Sequence, residues 1–320
     1  MPQGEGAKRS QPIIETHGLT RKFKETWAVA GLDLSIRPGS LFGLVGPDGA
    51  GKTTTLRLLA GLLDVTAGSA TVAGYDLARH PEAIKASIGY MAQRFSLYAE
   101  LSVLENLSFF AELYDVDPAW FRQRRERLLD FAGLTPFKDR RAQHLSGGMK
   151  KKLALACTLI HEPPILLLDE PTTGVDPVSR REFWDILTEL YLGGTTVLVT
   201  TPYMDEADRC SRVGLMYEGR LVVCDQPQRI RDRVEGELIE VQTTAWEPAR
   251  DLVNTLRGVL EVQTYGETLH LLVDSSEDRL PEIRIQLDEA GIAYQTVRRS
   301  TLRMEEAFIS LVRKMEEGTN

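Results

Sequence analysis

The chain has 320 residues, of which 42% are hydrophobic and 26% are charged, and this composition is ordinary for a globular protein of about two domains. A formal net charge of −8 leaves no basic field of the kind that nucleic-acid binders carry, so we expect no nucleic-acid partner. The three cysteines are unclustered, which is typical of a reducing compartment, and no apolar segment approaches the ~18–20 residues that cross a bilayer.

The first part of the chain alternates short apolar runs with turn residues. We expect a disordered tail over residues 1–11 and a turn over residues 21–26. A helix with leucines at helical spacing is predicted at 53–62. The predicted strands in this part cover residues 12–17, 28–36, 41–45, 69–72 and 88–92.

The middle of the chain begins with a helical insert between residues 101 and 145 and then returns to alternation. The helices are predicted at residues 103–114, 120–133, 147–160 and 179–192, with another opening at 205–210. The strands are predicted at residues 165–168, 195–200, 213–217 and 220–224, the last two as an antiparallel pair. Strands that alternate with helices predict a largely parallel sheet.

A boundary begins at residues 225–227, and the pattern beyond it has the order βαββαβ. That order predicts a split βαβ or ferredoxin-like module. Its strands are expected at residues 238–243, 259–264, 268–273 and 293–298, and its helices at 248–256 and 280–290. A terminal amphipathic helix follows at 302–314.

A phosphate-binding loop stands between a predicted strand and a predicted helix. It reads Gly46-Pro47-Asp48-Gly49-Ala50-Gly51-Lys52-Thr53, and we count Thr54 with it as a cofactor-binding residue. Its glycines allow backbone N–H groups to converge on phosphates, and Lys52 adds charge at the β- and γ-phosphates. The Thr53 hydroxyl is a ligand for Mg²⁺. The loop therefore predicts ATP and Mg²⁺ as cofactors.

Two acidic residues end the apolar run 165–168. A buried strand delivers Asp169 and Glu170 to the carboxyl edge of the sheet, where open α/β folds bind ligands. We expect Asp169 to hold Mg²⁺ and Glu170 to polarise the attacking water as a general base.

The segment Leu145-Ser146-Gly147-Gly148-Met149 precedes that acidic strand and opens a helix. Together with the phosphate loop and the acidic pair, it resembles in order and spacing the ATP-binding cassette (ABC) family, over roughly residues 12–230. The resemblance implies a P-loop NTPase core with a mainly parallel sheet, an antiparallel β subdomain and a helical subdomain at about residues 94–150. Residues 231–320 would form a small C-terminal α+β domain.

The family resemblance also implies roles at the cassette dimer interface. Ser146, Gly147 and Gly148 would close over the γ-phosphate held by a partner cassette, and Asp176 would signal across the interface. Gln93 would meet Mg²⁺ and the attacking water, and residues 95–106 would face a transmembrane permease subunit. The plainer alternatives are a solvated loop glutamine at Gln93 and a simple turn around Asp176.

An aromatic ring is expected to stack on adenine. Phe23 occupies the position where the family usually has this ring, and Trp27 is a rival four residues later. Either ring could instead pack on the sheet.

Pro202 departs from the family pattern, because it stands where the family has a histidine that touches the γ-phosphate. Proline has no side-chain donor and no N–H, so we expect the chain's own site to be impaired but not abolished. Asp48, Met149 and the run around Pro202 resemble the first cassette of tandem-cassette bacterial drug exporters. This favours a different partner cassette, with a homodimer of two slow sites as the alternative.

Three functions compete on this sequence. The favoured one is the ATPase subunit of a membrane exporter, located in the cytoplasm and held peripherally at the inner membrane face by its permease. The second is a regulatory cassette that binds ATP with little hydrolysis. The third, a cassette of DNA repair or translation, is disfavoured by the compact helical insert and the single cassette. The C-terminal run 302–308 resembles the closing motif of an exporter accessory domain, which is either a stabilising or regulatory addition or a ligand sensor.

Overall fold

The computed structural model describes residues 11–94 and 97–317. The chain divides into two compact units after Pro227. The tail predicted over residues 1–11 lies outside the described residues, apart from Gln11. Along the described chain, no helix combines the length and the apolar character needed to cross a membrane.

The first unit contains an antiparallel sheet built around a long hairpin. Its strands, in the order β2-β1-β4-β5, are β1 (Ile14–Phe23), β2 (Thr26–Ile36), β4 (Ala67–Val72) and β5 (Tyr75–Asp76).

The turn predicted over residues 21–26 is wrong in its extent. The strands continue to Phe23 and resume at Thr26, and Lys24 adopts φ 52°, so that two residues close the hairpin. Contacts along the extended pair explain the difference, because Lys22 pairs with Trp27 in the ladder and its ammonium lies 4.7 Å from the centre of the Trp27 ring.

The second sheet of this unit is parallel except at one edge, as predicted. It runs in the order β10-β9-β3-β8-β7-β6, and β10 pairs antiparallel with β9. Its strands are β3 (Leu41–Val45), β6 (Ile88–Met91), β7 (Ile165–Asp169), β8 (Thr196–Thr201), β9 (Arg212–Tyr217) and β10 (Arg220–Asp225). The three neighbouring strands β3, β8 and β7 are buried throughout and end at the same edge.

Four helices of the first unit begin at residues whose side chains cap them. Ser102 forms a capping box with Glu105, while Asp117, Ser146 and Asp176 each accept backbone N–H groups in the first turn. The helices are α1 (Lys52–Leu59), α2 (Pro81–Ser87), α3 (Val103–Leu113), α4 (Pro118–Phe131), α5 (Gly147–Thr158) and α6 (Pro177–Leu192).

The helix predicted at 205–210 is instead a 3₁₀ helix over Met204–Arg209. The chain re-enters the sheet as β9 at Arg212, which leaves too few residues for a longer α-helix.

The second unit has the predicted order of elements. A short helix, α7 (Pro227–Arg231), runs across the division between the units. The strands β11 (Glu237–Gln242), β12 (Val259–Tyr265), β13 (Thr268–Val273) and β14 (Thr296–Ser300) form an antiparallel sheet in the order β12-β13-β11-β14. The helices are α8 (Trp246–Val253), α9 (Ser276–Glu289) and α10 (Met304–Glu317).

The strand predicted at 293–298 begins only at Thr296. Ala293 differs from a ladder residue because its carbonyl oxygen accepts a hydrogen bond from the Thr243 hydroxyl, so the regular pairing with β11 starts later.

A buried polar cluster lies within the second unit. His270 Nδ1 is 2.6 Å from a carboxylate oxygen of Glu306, and its Nε2 is 3.6 Å from Glu240. Burial is the largest single effect and raises the pKa of the Glu306 carboxyl, but the hydrogen bond and charge of His270 together with backbone hydrogen bonds at Glu306 and Arg303 leave that pKa below its usual value. Burial also raises the pKa of Glu240, but hydrogen bonds from Ser300 and Arg298 together with the charges of Arg298 and His270 leave that pKa below its usual value.

These depressed carboxyl pKa values predict acid-sensitive stability. The stabilisation is fully present above the ordinary glutamate pKa of about 4.3 and is lost as pH falls through the lower folded values. We expect calorimetric unfolding of the full chain to show a progressive loss of stability as the pH falls below about 4.3. In Glu306→Gln this pH dependence should be shallower, with lower stability at pH 7. Identical pH slopes for the two proteins would contradict the prediction.

Candidate functional site

The predicted phosphate loop connects β3 to α1 and is held closely by neighbouring backbone. A Cβ added at Gly46 would lie 2.2 Å from the Met216 carbonyl oxygen. At Gly51, where φ is +99°, a Cβ would lie 2.2 Å from the Ala28 carbonyl oxygen. Only glycine fits at these two positions, because any side chain would collide with backbone.

The other loop residues differ in exposure. Ala50 is buried and its carbonyl oxygen accepts the Gly219 N–H, which ties the loop to the β9–β10 turn. Pro47 is half-buried, Asp48 and Gly49 are exposed, and Thr54 lies half-buried in the first turn of α1.

Lys52 is the buried cation of the site and is 3% exposed. Its Nζ donates to the carbonyl oxygens of Gly46 at 2.8 Å and Pro47 at 2.9 Å. The same atom lies 3.4 Å from Glu170 Oε1. The ammonium is therefore held within the loop and beside the predicted general base.

Asp169 is fully buried at the end of β7 and presents one oxygen without a partner. Its Oδ1 accepts the hydroxyls of Thr53 and Thr200, each at 2.9 Å. Its Oδ2 is buried and has no hydrogen-bond partner among the described residues. Mg²⁺ prefers oxygen ligands and usually binds through one or two carboxylates plus phosphates. A buried carboxylate oxygen without a hydrogen-bond partner, next to a threonine hydroxyl, is a suitable ligand for it. These residues fit the predicted metal.

Glu170 is held on several sides. It has φ 45°, a left-handed conformation that is uncommon for a residue with a side chain. Its N–H donates to the Thr200 hydroxyl at 3.0 Å, and its Oε2 accepts Gln93 Nε2 at 2.8 Å and the Thr173 hydroxyl at 3.4 Å. Strained backbone that surrounding contacts fix in place is common at functional sites.

Gln93 connects this site to a cleft beside α5. The cleft has a volume of about 400 Å³, and both Gln93 and Lys151 line it. Lys151 Nζ donates to the Gln93 carbonyl oxygen at 3.0 Å. Burial lowers the pKa of Lys151, and the nearby carboxylates of Asp169 and Glu170 partly counteract this. The first two residues of the predicted membrane-facing segment 95–106 lie outside the described residues.

The starts of α5 and α6 form a separate exposed surface. Ser146 and Gly147 are exposed, and Ser146 Oγ accepts the Met149 N–H at 3.2 Å. A Cβ at Gly148 would lie 2.5 Å from the side chain of Ser179, so glycine permits α5 to approach α6. Asp176 caps α6, and hydrogen bonds from Ser179 are the main cause of its lowered pKa. The expected interface role of this surface stays a prediction.

Both candidate adenine-stacking rings are available at the hairpin end. Phe23 is 42% exposed and Trp27 is 52% exposed. A cation covers one face of each, because Arg21 lies 4.6 Å from the Phe23 ring centre and Lys22 lies 4.7 Å from that of Trp27. The geometry leaves the choice between the two rings open.

Pro202 follows β8 at the same sheet edge as the acidic pair. None of the five histidines lies in this loop. His161, for example, contacts the Ile88 carbonyl oxygen at the opposite, amino end of the sheet and stacks on Tyr114. His17 and His80 lie in the antiparallel sheet and beside it, His144 precedes Ser146, and His270 belongs to the second unit.

Sequence reasoning did not identify three residues that shape this site. Thr200 joins both acidic residues, Thr173 contacts Glu170, and Lys151 holds Gln93. A usable signal existed for Thr200, since two polar threonines end the otherwise apolar strand beside β7. Thr173 and Lys151 act through tertiary contacts that no local pattern reveals.

Comparison with known proteins gives consistent matches. The family model described as "ABC transporter" matches residues 29–173. The probable multidrug ABC transporter ATP-binding protein YbhF of Escherichia coli is 42% identical over 305 residues, which are 94% of this chain and 52% of that protein. The chain thus spans about half the length of that relative. The daunorubicin resistance ATP-binding protein DrrA2 of Streptomyces coeruleorubidus is 34% identical, over 96% of this chain and 97% of its own.

Solved structures agree with the fold of the first unit. The cbiO1 protein of Clostridium perfringens, part of the ABC transporter complex cbiONQ, has a TM-score of 0.65 and 27% identity, covering 77% of this chain and 96% of that one. The ATP-binding cassette MJ0796, in a dimeric post-hydrolysis state bound to ADP and Pi, has a TM-score of 0.60 and 26% identity. It covers 67% of this chain and 98% of its own.

The contacts of Thr200 predict a measurable loss of stability on substitution. Thr200→Val leaves the buried Glu170 N–H without its acceptor and removes one donor from Asp169, which should lower the free energy of unfolding by about 1–3 kcal/mol. Thr200→Ser keeps the hydroxyl and is the matched control. Urea unfolding of both variants checks this, and equal midpoints for valine and serine would contradict it.

Proposed function

The chain belongs to the ABC transporter family of ATP-binding proteins, and we propose that it binds and hydrolyses Mg-ATP to drive transport by separate membrane subunits. The observation that carries this proposal is the convergence of Lys52, Asp169 and Glu170 at one sheet edge. Lys52 lies 3.4 Å from Glu170, and Asp169 accepts the hydroxyl of Thr53, the residue that follows Lys52. A phosphate-binding loop, a metal-binding carboxylate and a candidate base thus share one site.

The loop residues bind and orient the triphosphate in this proposal. Backbone N–H groups of residues 46–51 and the start of α1 attract the phosphates. Lys52 exchanges its contacts with the loop carbonyl oxygens for contacts with phosphate oxygens. Thr53 and the Asp169 Oδ2 would hold Mg²⁺, which neutralises charge on the phosphates. Phe23 is the preferred ring for stacking on adenine, with Trp27 as the alternative.

Glu170 is the proposed general base. Once Lys52 turns to phosphate, the carboxylate is free to accept a proton from the attacking water. Gln93 Nε2 stays within hydrogen-bond distance of Glu170 and orients both the carboxylate and the water. The Thr200 hydroxyl fixes the backbone position of the base.

A second cassette would complete the site. Ser146 and Gly147 lie on the exposed start of α5, where they and the neighbouring buried Gly148 suit contact with nucleotide on a partner cassette, and Asp176 caps α6. The MJ0796 cassette, solved as a dimer with ADP and Pi, supports this arrangement. Whether the partner is a second copy or a different cassette is open, and Pro202 favours a different one.

The names of two relatives support a proposal for the membrane partner and the transport direction. YbhF is named as a multidrug transporter protein, and DrrA2 is named for daunorubicin resistance. We therefore propose export of drug-like compounds through transmembrane permease subunits that contact residues 97–106 and the cleft lined by Gln93. The chain would lie on the cytoplasmic face of the membrane through these subunits.

Pro202 favours slow hydrolysis at the chain's own site. It cannot donate a hydrogen bond to the γ-phosphate, and removing one donor of this kind costs about 10²–10³-fold in rate. The alternative function, a regulatory cassette that mainly binds ATP, rests on the same residue. The intact arrangement around Glu170 favours the ATPase.

Steady-state ATP hydrolysis of the wild type and Glu170→Gln tests the proposed activity. We expect Mg²⁺-dependent turnover of the wild type and at least a hundredfold lower turnover of the variant, because a general base contributes about 10²–10⁴-fold. Nucleotide binding, followed with a fluorescent ATP analogue, should persist in Glu170→Gln. Equal turnover with intact binding would instead support the regulatory alternative.

Introducing the missing imidazole tests the role of Pro202. Pro202→His should raise turnover by about ten- to a hundredfold, because it restores a donor toward the γ-phosphate. The matched control is Pro202→Ala, which removes the ring without adding a donor. The gain should vanish in the Pro202→His, Glu170→Gln double variant. If alanine and histidine raise turnover equally, loop flexibility rather than the imidazole is responsible.

A further inference from the structure

Glu206 is a buried acidic residue next to the site, and the proposed mechanism does not use it. Glu206 is 2% exposed and belongs to the 3₁₀ helix that follows Pro202. Its Oε2 accepts the Thr201 hydroxyl at 2.5 Å and the Thr172 hydroxyl at 3.2 Å. Its Oε1 is buried and makes no hydrogen bond with any described residue. A buried carboxyl oxygen without a hydrogen-bond partner is costly to the folded state, so this arrangement calls for an explanation.

The two hydroxyls belong to Thr172, in the loop after Glu170, and to Thr201, the last residue of β8. Thr172 lies two residues after Glu170, and Thr201 immediately precedes Pro202. One carboxylate oxygen therefore ties the loop of the general base to the loop where the histidine is missing. Thr201 Oγ1 also accepts the Tyr203 N–H at 3.0 Å, which fixes the backbone on the far side of Pro202.

Arg180 extends this connection to the exposed surface at the start of α6. Its Nε lies 4.0 Å from Glu206 Oε1, and its guanidinium lies 4.9 Å from the centre of the Tyr203 ring. Its backbone N–H donates to the Asp176 carbonyl oxygen at 2.9 Å in the first turn of α6. A movement at Asp176 would thus shift the cation that faces Glu206.

We propose that Glu206 and Arg180 are positioning residues that set the relative placement of the Glu170 and Pro202 loops and connect it to Asp176. This inference rests on the proposed ATPase function. Pro202 has no side-chain hydrogen-bonding group that could orient its loop toward the nucleotide. The position of the loop therefore depends on the hydrogen bonds that Thr201 makes with Glu206 and Tyr203. Small misplacements of a catalytic group cost up to about a hundredfold in rate.

Steady-state kinetics of the full chain separates positioning from stability. Glu206→Gln and Thr201→Val should each lower kcat about tenfold or more and leave the KM for ATP within about twofold, since the nucleotide-binding residues are untouched. Thr201→Ser keeps the hydroxyl and should retain wild-type kcat. Asp185→Asn is a control on the same two elements, because Asp185 pairs with Arg209 at 3.7 Å on the surface. It should behave as wild type.

The proposed connection from Asp176 through Arg180 to the Pro202 loop can be tested without ATP hydrolysis. Amide hydrogen exchange, measured by mass spectrometry, should be faster in Arg180→Ala over residues 170–175 and 200–206, with Asp185→Asn unchanged. If Glu206→Gln does not fold, the difference in kcat between Thr201→Val and Thr201→Ser tests the positioning role by itself.

The proposal is overturned if Glu206→Gln and Thr201→Val keep wild-type kcat, or if only KM rises. If the wild type hydrolyses ATP no faster than Glu170→Gln, the proposed function has failed, and hydrogen exchange alone then decides the connection. Unchanged exchange over residues 200–206 in Arg180→Ala would show that α6 does not position this loop.

Discussion

The buried ion pair between Lys52 and Glu170 is the interaction on which the site depends. Two opposite charges, 3% and 6% exposed, lie 3.4 Å apart at the edge where β3, β8 and β7 end together. Each charge would be costly to bury without the other. The loop carbonyl oxygens of Gly46 and Pro47 hold Lys52 in place, and the Thr200 hydroxyl holds the backbone of Glu170. ATP offers Lys52 a stronger anionic partner, and this exchange would release Glu170 toward water.

The sequence predicted the parts of the site that lie in one continuous segment. Residues 41–53 and 165–170 each combine an apolar strand with the loop or polar residues that follow it, so their meeting at one sheet edge follows from parallel pairing. The order βαββαβ, read from the pattern of apolar residues, predicted the ferredoxin-like order of elements in the second unit. Thr200 could have been predicted as a site residue only if the position of β8 between β3 and β7 had been known.

What the sequence could not predict depends on contacts between distant segments. Glu206 lies next to Asp205 in an acidic run that looks solvated, and only the fold shows it buried beneath two threonines. The hairpin end beyond Arg21 was likewise unpredictable, because the polar composition suggested a turn, whereas Lys22 pairs with Trp27 across the strands and its ammonium lies over the Trp27 ring. Local patterns indicate where a chain turns, while partners across the fold decide which polar groups are buried.

A structure of the wild-type chain with Mg²⁺ and a non-hydrolysable ATP analogue tests the central claim most directly. The account predicts that Lys52 Nζ leaves the carbonyl oxygens of Gly46 and Pro47 for the phosphates, and that Asp169 Oδ2 faces the metal. Glu170 should then retain Gln93 and lose its contact with Lys52. A nucleotide bound elsewhere, or a Lys52–Glu170 pair unchanged in its presence, would contradict the account.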